Sequence, residues 1–189
     1  MKTLVLASAS PRRAELLRQI GVAFDVCAAD IDETPAVDEP AYDYVMRMAQ
    51  QKAEAIAPHF PSAVILASDT SVVVAGEVLG KPRHHQDARD MLRRLSGRSH
   101  QVMTSVCVLG SECQRAVNLT EVWFRPLSDT EIEAYWHTGE PIDKAGAYAI
   151  QGLGAKFVER IHGSYSGVMG LPLFEVAQML TRAGVMEGA

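Results

Sequence analysis

The sequence predicts an α/β fold. Short apolar runs suited to buried strands alternate with stretches whose apolar residues recur at helical spacing, and the helical stretches carry recognisable start and stop residues. Leu4-Val5-Leu6-Ala7 reads as a buried strand. Ser10 then stands as N-cap and Pro11 at the first helical position, where its missing N–H costs nothing, so a helix is expected over residues 11–20, ending at Gly21. Residues 22–27 read as a second strand and 28–40 as an acidic connection containing Asp30, Asp32, Glu33, Asp38 and Glu39. Tyr44, Val45, Met48, Ala49, Ala53 and Ile56 share a helical face over 41–57.

Residues 63–67 form a near-continuous apolar run, the pattern of a central strand, which the polar Ser68-Asp69-Thr70 closes. Val72-Val73-Val74 and Val78-Leu79 around Ala75-Gly76 read as a hairpin leading into Gly80-Lys81-Pro82. A helix is expected over 86–95, an antiparallel strand pair over 100–109 and 116–124, and hence a mixed sheet. Ser128 with Glu131 three residues on predicts a capping box and a helix to about residue 138. A glycine-punctuated loop over 143–154, a strand over 156–161, a second glycine-containing loop over 163–172 and a helix over 173–182 complete the reading.

Composition narrows the function classes. With 189 residues, 48% hydrophobic and 22% charged, the chain reads as one domain over 1–189 with a substantial core and no disordered or low-complexity tract. No apolar stretch approaches the roughly 20 residues of a membrane span, and the N-terminus lacks the features of a secretory peptide, so a soluble, cytoplasmic protein with no membrane partner is expected. Three cysteines without metal-ligand spacing are read as reduced. A formal net charge of −5 argues against nucleic acid as a partner. Positive charge gathers instead at Arg12-Arg13, Lys52 and Lys81-Pro82-Arg83, a pattern suited to one small polyanion.

The start of the helix at Pro11 is the strongest functional signal. Its N–H groups and positive dipole end, with Ser8, Ser10, Arg12 and Arg13 beside them, make the parts of a phosphate site. Asp69, directly after a buried strand, stands where α/β proteins place ligands, and with Glu33 it offers a carboxylate pair for a hard cation whose other oxygens come from phosphates. Lys81, between Gly80 and Pro82, leaves a rigid turn suited to aiming a charge. Gln151 carries both a donor and an acceptor, the pairing that reads a uracil or thymine edge, and Tyr148 is available to stack or pack. No P-loop pattern is present, and His84, His85 and His100 have no spacing that assigns them a role.

Ser8-x-Ser10-Pro11-Arg12-Arg13, Asp69-Thr70, Gly80-Lys81-Pro82, the run from Asp143 to Tyr148, Ile150-Gln151-Gly152 and Gly170-Leu171-Pro172 together resemble the Maf family of nucleotide pyrophosphatases over nearly the whole chain. That resemblance implies an elongated, curved mixed sheet flanked by helices, two lobes with a central cleft, as in inosine triphosphate pyrophosphatases. It implies metal-dependent hydrolysis, with Mg2+ or Mn2+, between the α- and β-phosphates of a nucleoside triphosphate. Arg12, Thr70 and Gln151 match the branch acting on dTTP and UTP, whose pocket also suits modified pyrimidine triphosphates. By the same resemblance Asp69 is the catalytic proton acceptor and a metal ligand with Glu33, while Ser8, Arg12, Arg13, Lys52 and Lys81 hold phosphates. A homodimer is implied, with no sequence feature marking its interface. The rival class is a non-catalytic nucleotide-binding regulator of cell division. Ala149 and Ser71 depart from the family pattern, and the Ala149 methyl is expected to narrow the base pocket.

Overall fold

The computed structural model describes residues 2–187. In chain order the elements are β1 (Leu4–Leu6), α1 (Pro11–Gln19), β2 (Asp25–Val26), α2 (Ala41–Ile56), β3 (Val64–Val74), β4 (Glu77–Leu79), α3 (His85–Leu95), β5 (Ser99–Leu109), β6 (Cys113–Phe124), α4 (Asp129–Trp136), β7 (Val158–His162), α5 (Tyr165–Met169) and α6 (Leu173–Arg182). The strands form a seven-stranded sheet in the order β2-β1-β3-β5-β6-β7, with β4 on β3. β1 runs parallel to β2 and β3, whereas β3–β4 and β6–β7 are antiparallel, so the sheet is mixed as the sequence predicts.

Two differences from the sequence reading matter. The second strand shrinks to Asp25–Val26, because β1 is three residues long and offers partners only through Val5 and Leu6. The strand expected to stop at residue 67 continues through Ser68, Asp69 and Thr70 to Val74. It can do so because polar side chains find partners inside: the Ser68 hydroxyl donates to the Gly170 carbonyl at 2.8 Å, and Asp69 accepts from Lys52. The valines that follow supply β-branched, buried continuation. A smaller difference is that the loop expected over 163–172 contains the short α5.

The chain divides into two compact units. One comprises the chain up to Asp69, Thr104–Asn118 and the segment from Gly170 onward. Its core packs Ala49, Ala53 and Ile56 of α2 against Val5, Ala7, Ile65, Ala67 and Cys107. Alanines at two of these three contact positions of α2 let helix and sheet approach closely. Strand alternation puts Ile65, Ala67 and Asp69 on one face, so Asp69 meets the same helix. The cysteines are free thiols, with Cys107 and Cys113 Sγ atoms 3.8 Å apart.

The other unit comprises Thr70–Met103 and Leu119–Met169. Val72, Leu79, Leu92, Leu95, Val122, Phe124, Ile132, Tyr135, Tyr148 and Phe157 are among its buried core. α4 begins with the expected capping box between Ser128 and Glu131. The histidines left without a role have structural ones. His84 Nδ1 caps α3 by accepting from the Asp87 amide, and His85 pairs with Glu133 at 2.9 Å. Buried His100 shares a 2.8 Å hydrogen bond with the Tyr148 hydroxyl and stacks edge-on with Phe124 and Tyr148.

Burial depresses the His100 pKa from 6.5 to about 4, so the folded protein keeps this ring neutral while the unfolded chain takes up a proton. Stability present above pH 6.5 is therefore lost as pH falls through 6.5 towards 4, by about 3 kcal/mol from this residue. Urea unfolding of wild type and His100→Gln at several pH values between 7 and 4 checks this. The wild type should lose stability more steeply, and parallel profiles would refute it.

Candidate active site

The site in the first unit is built around one buried ammonium. Lys52 is 8% exposed, on the face of α2 that carries Ala49 and Ala53. Its Nζ lies 2.8 Å from Asp69 Oδ1 and 2.8 Å from Glu33 Oε1. Sequence-distant groups from α2, β3 and the acidic connection thus converge on one ammonium. Asp69 stands within β3, three residues beyond the last β1 pairing at Leu6–Leu66. The expectation that it follows its strand is corrected, yet it still lies past the carboxyl end of a parallel neighbour, where α/β sheets present ligand groups.

The approach of Glu33 has identifiable causes. The Tyr44 hydroxyl donates to the Glu33 backbone carbonyl at 2.9 Å. Arg47 donates through Nε and Nη2 to both Glu39 oxygens, and through Nη2 to the Thr34 carbonyl at 3.2 Å, clasping the connection onto α2. Burial, followed by the nearby charges of Asp69 and Glu33, pushes the Tyr44 phenol up to about 12, so it is a proton donor at neutral pH. By sequence alone Tyr44 is an inward position of a helical face. Its spacing of eight from Lys52, two turns along one helical face, was the available signal.

A second group lies at the start of α1. Ser10 occupies the N-cap position but makes no side-chain cap bond, contrary to its expected chemistry. Beside it the buried Ser8 hydroxyl oxygen accepts from the Ser10 amide and from Arg13 Nη1, each at 3.2 Å. Arg13 Nε donates to the Gly170 carbonyl at 2.9 Å, the acceptor that Ser68 also uses. Gly170 is therefore a support residue that the sequence offered only as part of a motif. Desolvation lowers the Arg13 pKa, and the Arg12 charge acts in the same direction, while Asp69 and Glu33 raise it, which places this guanidinium in the field of the carboxylate pair. Ser8, Arg12, Arg13, Glu33, Lys52 and Asp69 accordingly belong to one neighbourhood.

Thr70, Lys81 and Gln151 belong to the second unit. Thr70 follows Asp69 in β3, so its side chain leaves the opposite face of the strand. Exposed Lys81 leaves the turn after β4, and the Gly80 carbonyl accepts from the Gly146 amide at 3.1 Å, tying that turn to the loop that carries Gln151. Gly146 has φ of +67°, and a Cβ there would lie 2.9 Å from Val72 Cγ1, so this contact admits no side chain. Gln151 is exposed, whereas Tyr148 is buried against His100 and Phe124 and packs rather than offering a stacking face. Ala149 is also buried.

Among the described residues no three His, Cys, Asp or Glu side chains gather as a metal set. The Glu33–Asp69 pair nevertheless suits a hard divalent cation, since two carboxylate oxygens already converge on one cationic centre and such ions take their remaining ligands from water and phosphate.

Removing Lys52 alone leaves Asp69, whose side chain is 10% exposed, beside Glu33 without its counter-charge. Lys52→Met should destabilise the protein by about 3 kcal/mol, at the low end of the range for breaking a buried pair because Glu33 is half exposed. Adding Asp69→Asn should return more than about 1 kcal/mol. Denaturant midpoints of the two single variants and the double variant measure the coupling, and strict additivity would contradict it.

The profile of the Maf-like protein family matches residues 3–183. A dTTP/UTP pyrophosphatase of Vibrio vulnificus (strain YJ016) is 56% identical over 182 residues, covering 95% of this chain and 98% of that protein. One of the same description from Anaeromyxobacter dehalogenans (strain 2CP-C) is 57% identical over 187 residues, covering 96% and 94%. Among solved structures, a nucleoside-triphosphatase / dITP/XTP pyrophosphatase of Mycobacterium abscessus aligns over 96% of this chain and 94% of its own, with 14% identity and a TM-score of 0.48. With a family match spanning almost all of its length and relatives above half identity, the chain belongs to the Maf family.

Proposed function

We propose that this protein is a dTTP/UTP pyrophosphatase, hydrolysing pyrimidine nucleoside triphosphates to the monophosphate and pyrophosphate in the cytoplasm, as a single functional domain over residues 1–189 that forms a homodimer. The observation that carries the reading is the Asp69 carboxylate held 2.8 Å from a buried ammonium, in the field of Arg13 at the start of α1. The names and identities of the Vibrio and Anaeromyxobacter relatives support the same activity.

In this mechanism Ser8, Ser10, Arg12, Arg13, Lys52 and Lys81 bind the triphosphate and offset its charge, with the α1 N-terminus contributing its dipole. Glu33 and Asp69 would hold a Mg2+ or Mn2+ ion, which when bound supplies charge neutralisation to the phosphate oxygens. Asp69 accepts the proton of the attacking water. The water oxygen bonds to the α-phosphorus, and the α–β bridging oxygen departs with pyrophosphate. Lys52 fixes the orientation of Asp69 for that transfer. Gln151 reads the imide edge of thymine or uracil through its paired donor and acceptor, and Thr70 adds to substrate selection.

Incubation with a panel of nucleoside triphosphates and Mg2+ or Mn2+, with quantification of both products, tests the assignment. The expected result is equimolar monophosphate and pyrophosphate, greatest from dTTP and UTP and abolished by a chelator. Binding without turnover would favour the non-catalytic regulator instead. Asp69→Asn keeps the shape of the side chain but removes its basicity, so turnover should fall by at least about 100-fold while the folded state persists by circular dichroism. Wild-type rates in that variant would remove Asp69 from its role.

A further inference from the structure

The loop that carries Gln151 is organised around a carboxylate to which neither the sequence reading nor the proposed mechanism gives a part. Glu140 follows α4, and its Oε1 accepts from the Tyr135 hydroxyl at 2.6 Å and from the Gly154 amide at 2.9 Å. Its Oε2 accepts from the Leu153 amide at 2.8 Å. The fully buried Tyr135 hydroxyl in turn accepts from the Ala149 amide at 3.1 Å. Between these anchors the Gly152 amide donates to the Ala149 carbonyl at 3.2 Å, closing a tight turn with Gln151 as its third residue. The backbone is therefore tied on both sides of Gln151, before it through Tyr135 and after it through Glu140.

The fit leaves no slack. A Cβ on Gly152 would overlap Glu140 Oε2, so the carboxylate occupies the space that any larger residue needs. Burial alone would raise the Glu140 pKa, but the hydrogen bonds from Tyr135, Leu153 and Gly154 and the charge of Lys144 outweigh it and hold the group below its ordinary value. The anion can thus serve as acceptor across the neutral range.

We propose that Glu140 is a positioning residue for pyrimidine selection, holding residues 149–154 in the one backbone form that presents the Gln151 amide to the base. This rests on the reading of Gln151 given above. A carboxylate offers acceptors at both oxygens to three donors, whereas Glu140→Gln turns an NH2 group towards one of the backbone amides and breaks part of the frame.

Steady-state kinetics of Glu140→Gln with dTTP, UTP, dCTP and CTP test it. KM for dTTP and UTP should rise about tenfold with kcat within about twofold, and the preference over the cytosine nucleotides should shrink by a similar factor, the loss of one well-placed hydrogen bond. Unchanged KM and base preference in a folded variant, or a loss confined to kcat, would overturn the proposal. A residue that merely stabilises the fold would lower the melting temperature without moving base preference. Gly152→Ala, which displaces the carboxylate without removing it, should give the same KM and selectivity change. Should neither variant fold, hydrogen exchange of the wild type remains decisive: the Ala149, Leu153 and Gly154 amides should exchange slowly without nucleotide, and free exchange would refute a preformed frame. If wild-type protein turns over no nucleotide, the proposed activity fails separately, and calorimetric binding of dTTP against dCTP to wild type and Glu140→Gln still reads the role of Glu140.

Discussion

The ammonium of Lys52, held between Asp69 and Glu33, is the interaction on which the first unit's site depends. A buried ion pair adds little net stability, because desolvating both charges offsets most of their attraction, and apolar replacements of similar volume would serve a core at least as well. Three charged groups at the end of a wall of alanine and valine therefore point to chemistry rather than to folding. Lys52 supplies the local condition for it, since without that ammonium the buried Asp69 carboxylate would face half-exposed Glu33 with no counter-charge.

The architecture produces this arrangement from elementary periodicities. Alternation along β3 gives Ile65, Ala67 and Asp69 a common face, and the spacing of Ala49, Lys52, Ala53 and Ile56 gives α2 a matching stripe. Small residues at the contact keep helix and strand close, so a long side chain on the helix reaches the strand's carboxylate without leaving its cover. The same strand uses its other face at Ser68, whose hydroxyl joins Arg13 on the Gly170 carbonyl. One peptide oxygen thereby links the beginning of α1 to β3, and the position of Arg13 becomes a consequence of the core.

Much of this was legible in the sequence wherever the signal is local. Pro11 as the first residue of α1, the Ser128–Glu131 capping box and the bounds of α6 each follow from residues a few positions apart, and the structure places them as read. The errors arise where the deciding partner is remote. Ser68-Asp69-Thr70 resembles a strand end because polarity usually means solvent, and the partners that keep it within β3 lie 102 residues away at Gly170 and 17 away at Lys52. Ser10 has the right type and place for a capping side chain, but whether its hydroxyl or that of Ser8 takes the local donors is a matter of three-dimensional geometry. Glu33 and Asp69 could be nominated as a pair, yet nothing in their spacing shows that one lysine joins them. Tyr148 illustrates the reverse case, a plausible ligand-stacking group that the core claims through His100 and Phe124.

Glu140 shows why such residues escape a reading by motif. An acidic residue after a glycine at the end of a helix looks like solvated loop, and only its donors, the Tyr135 hydroxyl and the Leu153 and Gly154 amides, reveal that it satisfies backbone N–H groups of the segment over 149–154. The two units thus solve related problems with opposite charges. Around Lys52 a cation gathers carboxylates from separate elements, and around Glu140 an anion gathers the amides of two successive residues. In each case the embedded charge fixes functional groups at positions that secondary structure does not determine, and substitutions that preserve volume but not charge are those to which the proposed chemistry is most exposed.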